Sequence, residues 1–111
     1  MFQVHRQGSV NVLSGSDPLN SEHVATARAV SEDCFGRGQP QIVVHLAGIP
    51  LLDSAGLELL LDLRDRALRS GGAVQLAEPK ALCRDILQAT GLAGEFAIFD
   101  HLNSAVGSFA Q

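Results

Sequence analysis

Tryptophan and tyrosine do not occur in this chain of 111 residues, and lysine occurs once, as Lys80. Their absence argues against an aromatic stacking platform for single-stranded nucleic acid. The seven arginines are scattered, three of them in one stretch (Arg64, Arg66, Arg69), and the net charge is −4. No basic stripe therefore points to nucleic acid as a partner. No apolar run reaches the ~20 residues a membrane helix needs. The opening Met1-Phe2-Gln3-Val4-His5-Arg6 starts no signal-peptide apolar region. The expectation is a cytoplasmic protein with no membrane insertion. Cysteine is scarce: Cys34 and Cys83 lie in separate segments without C-x-x-C spacing, which reads as two reduced structural thiols. His5, His23, His45 and His101 are dispersed, with no i, i+4 pair to bind a metal. Gly36-Arg37-Gly38 lacks both the spacing and the lysine of a phosphate loop. No metal, nucleotide or other cofactor is expected.

What is present is enough apolar mass, 46% of residues against 18% charged, for one domain with one core. Val10-Asn11-Val12-Leu13 reads as a strand paired with Phe2 to Arg6. After the turn cluster Ser14-Gly15-Ser16-Asp17-Pro18, Asn20 or Ser21 is placed to cap a helix to about Phe35, ended by Gly36-Arg37-Gly38. Gln41-Ile42-Val43-Val44-His45-Leu46 is near-continuously apolar, as suits a central strand covered on both faces. The loop Gly48-Ile49-Pro50-Leu51-Leu52 must pack its apolar side chains on the core. A helix follows from about Ala55 to Ser70. Leu57, Leu60, Leu61 and Leu68 form its apolar stripe, and Asp62–Arg66 and Asp65–Arg69 stand at ion-pair spacing. Ala73 to Ala77 is a further strand, and Pro79 opens a helix bearing Leu82, Cys83, Ile86 and Leu87. Phe96 to Phe99 is a last strand, and Asn103 is placed to cap a final helix. Alternating strands and helices predict one α/β domain over residues 1–111, a mixed sheet of four or five strands with helices packed on it.

The sharpest local feature is Leu51-Leu52-Asp53-Ser54-Ala55-Gly56-Leu57. It delivers a serine to a helix start, where free N–H groups and the helix dipole favour negative charge. Two roles stand open for Ser54: a plain N-cap, or a phosphorylation site. Asp53 has its own structural role open to it, as a group that bonds neighbouring N–H groups. Gly56 in a first helical turn costs about 1 kcal/mol against alanine, which implies that a neighbouring backbone or a partner approaches closely there. A Ser54-His45-Asp53 triad fits poorly, because Asp53 adjoins Ser54 and D-S-A-G is not a nucleophile elbow. No catalytic residue is assigned.

Ile42 to Leu46, then Asp53-Ser54-Ala55-Gly56-Leu57, then Gly71-Gly72 and Thr90-Gly91-Leu92, together resemble the STAS domains of anti-sigma factor antagonists over about residues 10 to 109. The resemblance implies a partner-switching signalling protein rather than an enzyme. Ser54 matches the serine phosphorylated by a partner serine kinase that is itself the anti-sigma factor; the unmodified form binds that kinase, and a metal-dependent serine phosphatase restores it. Asp17 matches a family aspartate. The partner-binding set is Asp17, Asp53, Ala55, Gly56, Glu58 and Asp62, with the acidic face of the long helix steering a basic partner. The added phosphate would repel an acidic patch on the partner. Ala55 stands where many antagonists carry Ser or Thr, and Gly48 and Pro50 depart from the loop's usual residues. The alternative is a constitutive adaptor subunit of a larger assembly, such as a lipid-transport ATPase complex, with no phosphorylation cycle. The chain is expected to be a monomer or weak dimer.

Overall fold

The hairpin that opens the chain joins β1 (Phe2–Gln7) to β2 (Val10–Gly15) antiparallel, from Phe2 opposite Gly15 to Gln7 opposite Val10. Gly8, with φ of +63°, supplies the left-handed turn residue between them. From β2 onward every neighbour is parallel, because each later strand is reached through a helical crossover. The elements are α1 (Val24–Ser31), β3 (Gln41–His45), α2 (Ser54–Arg69), β4 (Ala73–Ala77), α3 (Ala81–Ala89), β5 (Ile98–Phe99) and α4 (Leu102–Ser108). The computed structural model describes residues 1–36 and 38–110; Arg37 of the helix-ending Gly36-Arg37-Gly38 lies outside them. The result is a five-stranded mixed sheet in the order β1-β2-β3-β4-β5, with β3 at its centre.

Alternation along β3 explains its unbroken apolar run. Ile42 and Val44 face the larger core with Leu13 and Leu76, beneath Ala27 of α1, Leu59, Leu60 and Leu63 of α2, and Cys83 and Leu87 of α3. Val43 faces the other way, into a smaller cluster with Val10, Val12, Ala77 and Ala105 of α4. Each Val, Leu or Ile side chain among them, fully buried, contributes about 1.5–3 kcal/mol relative to exposure. Cys34 and Cys83 are free and buried. Burial, with Asp33 adding to it, pushes the Cys34 thiol from 9.0 to about 11, and burial pushes the Cys83 thiol up as well.

Several local expectations are corrected. The buried face of α2 is Gly56, Leu57, Leu59, Leu60, Leu63 and Ala67, while Leu61 is half-buried and Leu68 is exposed. Leu59 and Leu63, absent from the expected stripe, complete the 3.6-residue period; Leu61 packs at the edge of the core, and Leu68 falls outside it. The α2 arginine predicted to pair with Asp62 within the helix reaches across to Glu32 instead: Arg66 bonds Glu32 at 2.7 Å and lies over the Phe35 ring. Asp62 pairs with Arg28 of α1 at 3.0 Å, and Asp65 with its neighbour Arg64 at 3.2 Å. Helix α1 ends at Ser31 and tightens into a 3-10 turn over Glu32–Cys34, short of the expected Phe35. Asn20 caps the turn before it, accepting the His23 N–H at 3.1 Å. Pro79 stands two residues ahead of α3, and β5 is only two residues long. Asn103 lies inside α4 rather than at its cap.

The cap of α4 comes from far away in sequence. Glu78 sits just past β4 with φ of 56°, an uncommon conformation for a non-glycine residue. Its Oε2 accepts the Leu102 N–H at 2.7 Å, while Oε1 lies 3.1 Å from His45 Nε2, off the line of a good hydrogen bond. The His45 ring and the Leu102 N–H together hold the Glu78 carboxyl below its usual range. A carboxylate with a depressed folded pKa adds stability that is present above its unfolded value, near 4.5, and lost as pH falls through the folded one. Glu78→Gln should therefore melt lower than wild type at pH 7, and the gap should narrow by pH 3. An unchanged gap in a pair of thermal melts contradicts this role.

Candidate functional site

The loop between β3 and α2 is pinned at several points. Leu46 N–H donates to the Ala77 carbonyl at 2.9 Å and Ile49 N–H to the Leu46 carbonyl at 3.0 Å. Ile49 and Leu52 are buried, as the apolar loop required, and the Cys83 thiol donates to the Ile49 carbonyl at 3.3 Å. Pro50 stays exposed between these anchors.

The loop delivers Asp53, not Ser54, to the N-cap of α2. Asp53 has extended backbone angles, and its Oδ1 accepts the Gly56 N–H at 3.1 Å. Its Oδ2 accepts the Ser21 N–H at 3.0 Å, tying the segment after β2 to the helix start. The Gly56 N–H, joined by that of Ser21, holds the Asp53 carboxyl below the usual range against the opposing pull of desolvation. The capping role left open for Ser54 therefore belongs to Asp53. Ser54 becomes the first helical residue, with an exposed side chain.

Leu19 completes the arrangement. Its N–H donates to the Leu51 carbonyl at 3.0 Å, and its carbonyl accepts the Asp53 N–H at 3.2 Å. Leu19 and Leu52 thereby form a one-residue parallel bridge. A Cβ at Gly56 would overlap the Leu19 carbonyl oxygen. That explains the costly glycine in the first turn: the approaching group is backbone of the same chain. Leu19 and Ser21 were missed as site residues, and Gly56 was the one signal of them.

Asp53, Ser54, Ala55 and Gly56 thus form one contiguous surface and interior unit, with Ala55 half-buried and Gly56 buried. Glu58 is exposed one turn along from Ser54, on the same side of the helix. It has no ion-pair partner among the described residues. Asp62 is also exposed but turned to Arg28. Asp17 is held by the Met1 amino group rather than by any of the α2 residues. The Ser54-His45-Asp53 triad is not formed: His45 faces Glu78 and both Asp53 oxygens are engaged by amides. A cleft of about 260 Å³, lined by Gln3, Ser14, Ser16, His45 and Gly48, does not include Ser54. Among the described residues no group of three or more His, Cys, Asp or Glu side chains is placed to hold a metal. Nor is any helix there long and apolar enough to cross a membrane.

A family model described as the STAS domain matches residues 1–105. The chain belongs to the STAS domain family. Nothing among the curated proteins matches it. Solved STAS folds superpose closely. A proposed anti-sigma factor antagonist from Thermotoga maritima gives a TM-score of 0.91 at 23% identity, covering 100% of this chain and 96% of that one. The Bacillus cell fate determinant SpoIIAA in its phosphorylated form gives 0.72 at 21% identity, covering 98% and 99%. The murine anion transporter Slc26a9 in its inward-facing state gives 0.78 at 16% identity, covering 92% of this chain but 18% of that one. At these identities the likeness is one of fold. The STAS fold here accounts for every element described above, from the opening hairpin to α4.

Proposed function

We propose that this STAS domain is an anti-sigma factor antagonist-like switch. It binds a serine kinase that acts as anti-sigma factor while Ser54 is unmodified, and phosphorylation of Ser54 releases it. The observation that carries this reading is the placement of Ser54: exposed, at the head of α2, directly after a loop pinned by the buried Ile49 and Leu52 and by the hydrogen bonds of Asp53. A kinase can reach the hydroxyl without opening the core. The Ser54 oxygen would take the γ-phosphoryl group of ATP as the bond to ADP breaks and the hydroxyl proton leaves. A metal-dependent phosphatase would return the serine by adding water across the phosphorus–oxygen bond. A phosphoserine adds about −1.5 to −2 charge at neutral pH. In a surface already carrying Asp53 and Glu58, that charge opposes burial in a packed interface through bulk and desolvation.

Incubation with a serine kinase encoded beside this chain's gene and ATP, followed by intact mass and site mapping, tests the reading. One phosphoryl group on wild type and none on Ser54→Ala is expected. No transfer, or transfer elsewhere, favours the alternative of a constitutive adaptor subunit of a larger assembly, with no phosphorylation cycle.

Glu58 and Asp62 should separate in their effects on kinase affinity. Glu58→Lys should weaken binding by roughly threefold to tenfold with unchanged thermal stability, because an unpaired surface charge steers a partner. Asp62→Lys should affect binding less, since Asp62 is already turned to Arg28 and such exposed pairs contribute only about 0–1 kcal/mol. Calorimetric titration of both variants that shows no loss for Glu58→Lys places the interface elsewhere.

A further inference from the structure

A phosphoryl group on Ser54 that turned back onto the helix end would compete with the side chain of Asp53 for the Gly56 N–H. The first turn of a helix has free N–H groups that welcome an anion. In α2 the Gly56 N–H is already given to Asp53 Oδ1 at 3.1 Å, and the second carboxylate oxygen holds the Ser21 N–H at 3.0 Å. Turning Asp53 away to admit a phosphate would free Ser21 and break one of the ties between the segment after β2 and the helix start. The other ties, Leu19 to Leu51 and Asp53 to Leu19, are backbone bonds that hold Asp53 in place. Ser54 is the next residue and is exposed, so an outward path for a modified side chain is open.

We propose that Asp53 is a positioning residue for the phosphorylated state: it keeps the α2 and Ser21 amides and directs the phosphoryl group of Ser54 outward into solvent. This rests on Ser54 as the modified residue and adds where the phosphate stands. The phosphate is presented on the surface rather than folded onto the helix end. There it obstructs a partner and stays open to a phosphatase, while two anions on consecutive residues repel each other and the Gly56 and Ser21 amides stay with Asp53. Phosphorylation consequently loosens the fold instead of tightening it.

The test uses phosphoserine installed at residue 54 during translation, so it needs no kinase. Wild type and Asp53→Asn are each prepared with serine and with phosphoserine, and four melting temperatures are compared. Asparagine caps a helix about as well as aspartate but carries no charge. Phosphorylation should lower the melting temperature of wild type by about 4–8 °C more than that of Asp53→Asn. In the wild-type protein the Gly56 and Ser21 amide resonances should keep their positions on phosphorylation. Equal temperature shifts in the two backgrounds, the result a merely structural Asp53 would give, overturn the proposal. So does a Gly56 amide that moves onto the phosphate and follows its titration. If Asp53→Asn does not fold, Asp53→Ser, an uncharged capping residue, replaces it. A cellular Ser54 that is never phosphorylated would end the switch reading and leave this comparison unaffected.

Discussion

Gly56→Ala should lower stability by about 1–3 kcal/mol, a drop in melting temperature on the order of 10 °C. A helix interior normally gains about 1 kcal/mol from this change. Here the new methyl group meets the Leu19 carbonyl oxygen, with the Leu19 carbonyl carbon and side chain close behind. None of these is the loose end of a flexible side chain. The segment around Leu19 has to back away, which stretches the bond from the Asp53 N–H and strains the one from Ser21. Overpacking of this kind costs about 1–3 kcal/mol and a lost hydrogen bond about 1 more, which together outweigh the propensity gain. Gly107→Ala is the contrast. Gly107 lies in α4 with open space where its Cβ would go, so the same change should stabilise by up to about 1 kcal/mol. Thermal melts of the two variants should move in opposite directions. A neutral Gly56→Ala would mean that Leu19 is not held against the start of α2.

Ser54→Asp should weaken kinase binding by about thirtyfold or more, while Ser54→Ala binds as wild type. A charge left buried without a partner in an interface costs about 2–5 kcal/mol, and each 1.4 kcal/mol is a factor of ten. A single carboxylate carries less charge than phosphate and should stand at the low end of that range. Because Asp53 is the cap, removing the Ser54 hydroxyl takes nothing from the helix end, and Ser54→Ala should change stability by no more than about 0.5 kcal/mol. Asp53→Ala, by contrast, should lower the melting temperature by about 4–8 °C through the lost cap. Surface plasmon resonance on the immobilised kinase reads the affinities. Full affinity for Ser54→Asp would show that the interface tolerates charge at this position.

The order of strands and helices was legible because periodicity is local. Ile42, Val43 and Val44 announced a strand covered on both sides, and Leu57, Leu60 and Gly56 marked a helix with something against its first turn. What stayed hidden depends on contacts between distant segments. Glu78 as the cap of α4 needs a carboxylate 24 positions before Leu102, held in a left-handed backbone conformation that no composition rule predicts for glutamate. The pairs Arg28–Asp62 and Arg66–Glu32 replace neighbours within a helix by neighbours across two helices, a choice made by packing rather than spacing. The exchange of roles between Asp53 and Ser54 follows the same logic. Both residue types cap helices well, and the bond from Ser21, 32 residues upstream of Asp53, favours the aspartate at that position.

The account is tested most directly by the affinity of the kinase for this protein in two forms, unmodified and stoichiometrically phosphorylated on Ser54. Tight binding of the unmodified form and a loss of about thirtyfold or more on phosphorylation is the predicted result. Equal affinity for the two forms would contradict it.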